Sequence, residues 1–447
     1  MVEFSSGDIR TAARGAWLFE RIVETGSVVL RDLGGDRAGE VAAHRFLSSP
    51  YVSTEGLLAA VSARAGAAAA GRRVVAAQDT TEINFSGRDG RRRGLGRSAD
   101  GKSVGFFIHP VVVVDADEEA VLGLAGAQIW TRGAAAVGDR HRRAGSDKES
   151  RRWLEGMLAA AEALTGAAQV IVVADREGDV WAHFAGRPRG VDMAVRARHD
   201  RSLGEGPSLF EVLAKREILA VSEVRMGPRR PGDEGRLAKT WLRAGRVAIR
   251  RPDHAPPGDP ERLELGLVEV VEPDPPDGVK PLLWRILTSL PVETAEDAKE
   301  VVRLYRLRWR VEEVFRALKR EGLGLEDTQV QDKERLFRLA VLALGAAVRI
   351  IQLVDARDGG PRPMSDVLDD DLQSAVALMV RSREGATERQ KNPHPAGSLA
   401  WLSWVVARYG GWNSYYKPPG PKTMARGWER FSATLTGIIL AKDEALP

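Results

Sequence analysis

The chain has 447 residues, 43% of them hydrophobic, with 66 Lys and Arg against 62 Asp and Glu for a formal net charge of +4. That length calls for two to four domains around a sizeable buried core, and so small a charge excess points to a polyanionic partner only where the cations cluster. The absence of cysteine excludes disulfides, zinc–thiolate centres and cysteine nucleophiles.

From the N-terminus, which has neither a basic start nor an apolar core, a cytoplasmic protein is expected with no membrane association. Residues 9–28, 40–47 and 54–68 carry apolar residues at helical spacing, broken by Gly34-Gly35 and Ser48-Ser49-Pro50. Arg10, Arg14, Arg21, Arg31, Arg37 and Arg45 interleave with them, as on a solvated helical surface or one lying along phosphates. Arg73 to Ala77 reads as a buried strand with Asp79 at its end. The glycine and arginine loop that follows, Gly87 to Gly101, contains Arg91, Arg92 and Arg93 and is the densest basic segment, so a nucleic-acid contact is expected there.

Two further strands, 104–114 and 120–130, flank a hairpin turn, and a helix from about 148 to 164 leads to an apolar strand, 169–174, that ends in a second acid, Asp175. Periodicity alone supports a generic α/β domain; the order of strands, helix and acid-ended strand is that of a ribonuclease-H-like core. Between about 187 and 278 the texture becomes rich in proline, glycine and alternating runs, which reads as an all-β insertion. The core resumes at 281–288, and Thr294 with Asp297 forms a capping-box start for a helix. An apolar helix spans 334–353, residues 357–397 are looser, and helices return at 398–408 and 423–442, where Trp401, Trp404, Trp412 and Trp428 concentrate as core or as a self-association face. The expected organisation is a helical N-terminal DNA-binding domain (1–70), a catalytic α/β domain (71–355) interrupted by the β insertion, and a helical C-terminal dimerisation domain (356–447).

Tyr305, Arg308, Glu312 and Lys319, read as one helix, fall within an arc of about 60°, apart from the core stripe of Leu307, Val311, Val314 and Leu318. Asp79 and Asp175 on strand ends and Glu312 on a following helix form a set that can converge on one pocket, where three carboxylates repel unless a cation joins them. Hard oxygen donors with few histidines favour Mg2+, with Mn2+ as a substitute. Two such ions suit in-line phosphoryl transfer on a phosphodiester.

Asp79-Thr-Thr, Asp175-Arg-Glu after an apolar strand, and Tyr-x-x-Arg-Trp-Arg-x-Glu-Glu followed by Lys319 resemble the DDE transposases of the insertion-sequence-four family, in its transposon-five-like cut-and-paste branch. The resemblance runs from about Gly7 to Asp443. It implies that Asp79, Asp175 and Glu312 are metal ligands and that Tyr305, Arg308 and Lys319 hold phosphates near the cleaved end. It implies further that Trp284 stacks on a flipped nucleotide and that Arg196 and Arg198 face DNA. The reaction it implies is excision by nick, hairpin and hairpin resolution at inverted-repeat ends, then joining of the 3′-hydroxyls to target DNA, by a homodimer acting in the nucleoid. The chain begins later than the family pattern, which keeps a non-catalytic DNA-binding or inhibitory relative as an alternative, beside a nuclease of the same fold without strand transfer.

Overall fold

The computed structural model describes residues 9–86, 92–132, 151–204, 206–227, 235–319 and 322–444. In chain order the first elements are α1 (Ile9–Thr25), α2 (Leu30–Gly34), α3 (Arg37–Ser48), α4 (Thr54–Ala69), β1 (Arg73–Gln78), β2 (Thr81–Asn84), β3 (Gly96–Arg97), β4 (Val104–Asp115) and β5 (Val121–Trp130). There follow α5 (Arg151–Ala163), β6 (Gln169–Ala174), α6 (Trp181–Ala185), β7 (Val191–Arg196), α7 (Leu209–Ala214), β8 (Ala220–Met226), β9 (Arg236–Arg250), β10 (Arg262–Val271) and β11 (Leu283–Thr288). The remainder is helical: α8 (Ala295–Arg306), α9 (Trp309–Leu318), α10 (Lys333–Ala356), α11 (Gln373–Arg383), α12 (Leu399–Tyr409) and α13 (Pro421–Glu444). The protein is a mixed α/β structure, and its chain forms two compact units.

One unit is drawn from Met1–Ala70, Thr80–Asp139 and Arg310–Pro447. Its centre is α10, which is long and apolar enough to cross a membrane by composition, yet 83% of its apolar window is buried by protein. Helices α1, α4, α12 and α13 and strand β5 pack around it. Gly345 makes that approach possible: a Cβ there would come within 3.0 Å of Phe19 and 2.9 Å of Val61. Arg349, buried on the same helix, lies over the rings of Phe19 and Trp428 at 5.5 and 5.3 Å. Trp428 in turn donates its indole N–H to Glu20 at 3.0 Å. Trp401, Trp404 and Trp428 are 5%, 4% and 2% exposed, so these tryptophans are core, and a self-association face would need other residues. In the same unit β4 pairs antiparallel with β2, β3 and β5, as the hairpin reading expects.

The other unit is drawn from Gly71–Asp79 and Arg140–Trp309. Its strands run in the order β1-β6-β7-β11-β10-β9-β8. Strands β1, β6 and β7 are parallel, and from β7 outward every pairing is antiparallel. The near-continuous Val and Ala runs of β1 and β6 are buried, as a parallel centre requires. Residues 209–271 are mostly β, with the short α7 behind a Ser208–Glu211 capping box, and β8, β9 and β10 continue this sheet through β11. Glu269 on β10, 2% exposed, faces Arg243 on β9 (3.1 Å) and Arg285 on β11 (2.8 Å), its register partners on both sides. A buried carboxylate flanked by two cations holds one strand alignment against its neighbours.

Candidate functional site

The β1–β6 register ends at Ala77 opposite Val173. Asp79 directly follows the end of β1 at Gln78 and Asp175 the end of β6 at Ala174, so both acids stand at the C-terminal ends of adjacent parallel strands, the usual ligand-binding edge of an open α/β sheet. Asp175 also caps the single helical turn Arg176–Gly178, accepting the Glu177 amide at 2.8 Å. Gly178 is required in that turn, because a Cβ would stand 2.7 Å from that of Ala174 and 3.2 Å from the Trp153 ring.

Behind the turn, His183 is fully buried and donates through Nδ1 to the Gly178 carbonyl at 3.0 Å. Burial pushes its pKa down from 6.5 to about 4, against the opposing pull of Gly178 and Asp179. The folded imidazole therefore stays neutral while the unfolded one takes up a proton below about pH 6.5, so stability present above that pH is lost as pH falls toward 4. Urea unfolding should show roughly 2 kcal/mol less stability from this residue at pH 5 than at pH 7. His183→Gln should lose correspondingly less between those pH values; an unchanged pH dependence in that variant would reject the assignment.

The single helix expected from Tyr305 to Lys319 is two helices. α8 starts at the Thr294–Asp297 capping box and stops at Arg306, and Leu307 and Arg308 form a tight turn through bonds to the carbonyls of Leu304 and Tyr305 before α9 begins. These i to i−3 bonds tighten the helix end. The turn drives Arg308 onto Asp79, Nη1 to Oδ2, at 2.5 Å.

Tyr305 is 4% exposed, with Arg308 and Arg196 within hydrogen-bonding reach of its hydroxyl. Burial pushes the phenol up, against the pull of Arg308 and Arg196, while Asp175 adds to the rise. Burial likewise holds the half-buried Arg196 guanidinium below its ordinary range, with Tyr305 opposing. Arg196 donates to the Leu283 carbonyl at 2.7 Å and lies 5.8 Å from the Trp284 ring, which meets Tyr305 edge-on at 5.5 Å. Trp284 is half-buried on the wall of a cleft of about 960 Å3. Arg176, Arg196, Arg198, Arg225, Lys280 and Arg306 line that cleft with Phe210, Trp284 and Trp309, and Glu223 is its one acidic lining residue among those described. Cations of one sign around stacking surfaces suit a strand of phosphates and bases. Arg176, Arg225, Lys280, Arg306 and Trp309 escape the sequence reading; Trp309, 55% exposed beside Arg308, is the one whose position in the motif could have signalled it.

Glu312 and Lys319 belong to the other unit. Glu312 is half-buried on α9, whose Val311, Val314 and Leu318 are buried, and Lys319 follows the helix end, its amide on the Phe315 carbonyl at 3.0 Å. Arg310 ties α9 to α10 through an ion pair with Asp355, which also accepts the Val121 amide at 2.8 Å, and Arg310 pairs with Glu313 on its own helix. Of the arginine loop, Arg91 lies outside the described residues. Arg92 is engaged inside the protein, donating to the carbonyls of Thr328 (2.6 Å) and Val330 and lying 4.0 Å from the Phe85 ring. Arg93 is exposed, with its backbone bonded to Gln331 and Lys333.

Among the described residues no group of three or more His, Asp and Glu forms a ready-made metal cage. Asp79 and Asp175, at the ends of neighbouring strands, offer hard carboxylate oxygens of the kind that suits Mg2+ or Mn2+, and Arg308 supplies counter-charge at Asp79. Residues 137–349 match the family of the transposase DDE domain. The match supports a DDE transposase. The transposase match covers a little under half of the chain and includes Asp175 and Glu312, whereas Asp79 lies ahead of it.

Proposed function

We propose that the protein is a cut-and-paste DNA transposase acting on inverted-repeat ends. The observation that carries this reading is the cationic, aromatic-walled cleft in the unit where Asp79 and Asp175 each directly follow one of two adjacent parallel strands. Asp79, Asp175 and Glu312 would hold Mg2+, or Mn2+ in its place, which when bound activates the attacking water or 3′-hydroxyl and stabilises the leaving oxygen. Arg308, steadied by Tyr305, and Arg196, Arg198 and Lys319 hold the phosphates flanking the scissile bond. Trp284 receives a base turned out of the duplex, which relieves the bend that hairpin formation imposes. Arg91 and Arg93 contribute phosphate contacts from the glycine-rich loop. Water cuts one strand, the freed 3′-hydroxyl attacks the opposite strand, water reopens the hairpin, and the 3′-hydroxyl joins target DNA. Two copies synapse two ends, in the cytoplasmic nucleoid.

The test is incubation of purified protein with Mg2+ and duplexes drawn from inverted repeats flanking its gene. Nicked, hairpin and joined products are expected. Nicks alone would replace the proposal with a nuclease, and a gel shift without cleavage would replace it with a non-catalytic DNA-binding protein.

A further inference from the structure

The loop after β6 reads Asp175-Arg-Glu-Gly-Asp179, and its second aspartate is the more deeply buried. Asp179 is 1% exposed. Its Oδ2 accepts the backbone amides of Arg198 at 2.6 Å and His199 at 2.9 Å, and its Oδ1 lies 2.5 Å from Arg201 Nη2. The same Arg201 nitrogen donates to the Asp179 carbonyl at 3.2 Å. A carboxylate taken this far from water persists only when charge and hydrogen bonds compensate it, and here both compensations come from the segment that follows β7.

That segment begins at the cleft. Arg196 ends β7 with its guanidinium on the Leu283 carbonyl, and the Ala197 amide bonds to the Arg285 carbonyl at 2.8 Å. Arg198, the next residue, has an exposed side chain on the cleft wall, while its amide is held by Asp179. Asp179 thus ties the loop that carries Asp175 to the departure point of β7, and the direction in which Arg198 leaves the strand depends on that grip.

We propose that Asp179 is a positioning residue for the nucleic-acid cleft: by fixing the backbone at Arg198 it aims that guanidinium at a phosphate of bound DNA. This rests on the reading of the cleft as a DNA site. Phosphate contacts are sequence-independent and report themselves in the salt dependence of affinity, so a fluorescein-labelled duplex of arbitrary sequence serves as probe.

Anisotropy titrations across a KCl series should show Arg198→Ala flattening the slope of log affinity against log salt by about 0.9, one phosphate contact. Asp179→Ala should flatten it by the same amount, and the double variant should be no flatter than either single one. Additive losses, or a wild-type slope in Asp179→Ala beside a flattened one in Arg198→Ala, would overturn the positioning role and leave the cleft reading intact. An unchanged slope in Arg198→Ala would overturn both. Asp179→Asn keeps an acceptor oxygen for the two amides and loses the charge opposite Arg201. It should melt at a lower temperature yet keep the wild-type slope; a flattened slope in this variant would mean that the charge opposite Arg201, and not the grip on the Arg198 amide, sets the contact, and would overturn the proposal.

Discussion

Replacing Glu312 with alanine is expected to abolish strand cleavage while leaving DNA affinity within about twofold, because the side chain is assigned to metal chemistry and the cations that grip phosphate lie elsewhere. Metal assistance supplies several kcal/mol of transition-state stabilisation, and each 1.36 kcal/mol is tenfold in rate, so the loss should be on the order of a thousandfold or more. Asp175→Ala and Asp79→Ala should match it. Asp79→Ala differs in one respect: it also removes the ion-pair partner of Arg308, so its DNA affinity should change as well. Single-turnover cleavage of a labelled duplex, run beside gel-shift affinity, reads both quantities. Wild-type cleavage by the Glu312 variant would remove that residue from the site.

Asp355→Ala should markedly destabilise the unit that contains α10. It leaves the Arg310 guanidinium, only 18% exposed in its side chain, with Glu313 as its remaining ion-pair partner, and it strips the Val121 amide of its acceptor. Breaking such a pair from one side costs about 3 kcal/mol, the low end of the range for buried pairs, because its side chains are 18% and 11% exposed. Urea unfolding should place the variant lower by that amount, and the double substitution Arg310→Met with Asp355→Leu should recover much of the loss, since apolar residues of similar volume fill the space without stranding a charge. A double variant as unstable as the single one would show that the ion pair is not what Asp355 contributes.

The parts of the fold legible in advance share a physical cause. β1 and β6 are apolar runs that end in an acid, and a fully buried strand leaves little room for another reading. The Thr294–Asp297 start of α8 carries its own chemistry in four residues. The break after Arg306 was hidden because neither glycine nor proline marks it; the pairing of Arg308 with Asp79, residues far apart in the chain, accompanies the turn. The cleft was hidden for a similar reason. Arg176, Arg225, Lys280 and Arg306 come from four separate segments, and no local window contains their sum. The arginine-rich loop misled in the opposite direction, since local density cannot show that Arg92 has its carbonyl partners at Thr328 and Val330.

The Glu269 contacts bear on what this protein tolerates as it diverges. Glu269 matches Arg243 and Arg285 only in the observed alignment of β9, β10 and β11, and the residue beside Arg285 is Trp284 on the cleft wall. Gaining or losing one residue within β10 would turn every later side chain to the opposite face and take the acid from between its two arginines. The proline-rich connection at 252–260 takes no part in strand pairing, although Asp259 accepts the Trp181 indole N–H at 2.8 Å, and it can lengthen or shorten ahead of that residue. Length variation in the insertion should therefore collect in its connections, and β10 should keep its residue count even where its letters change.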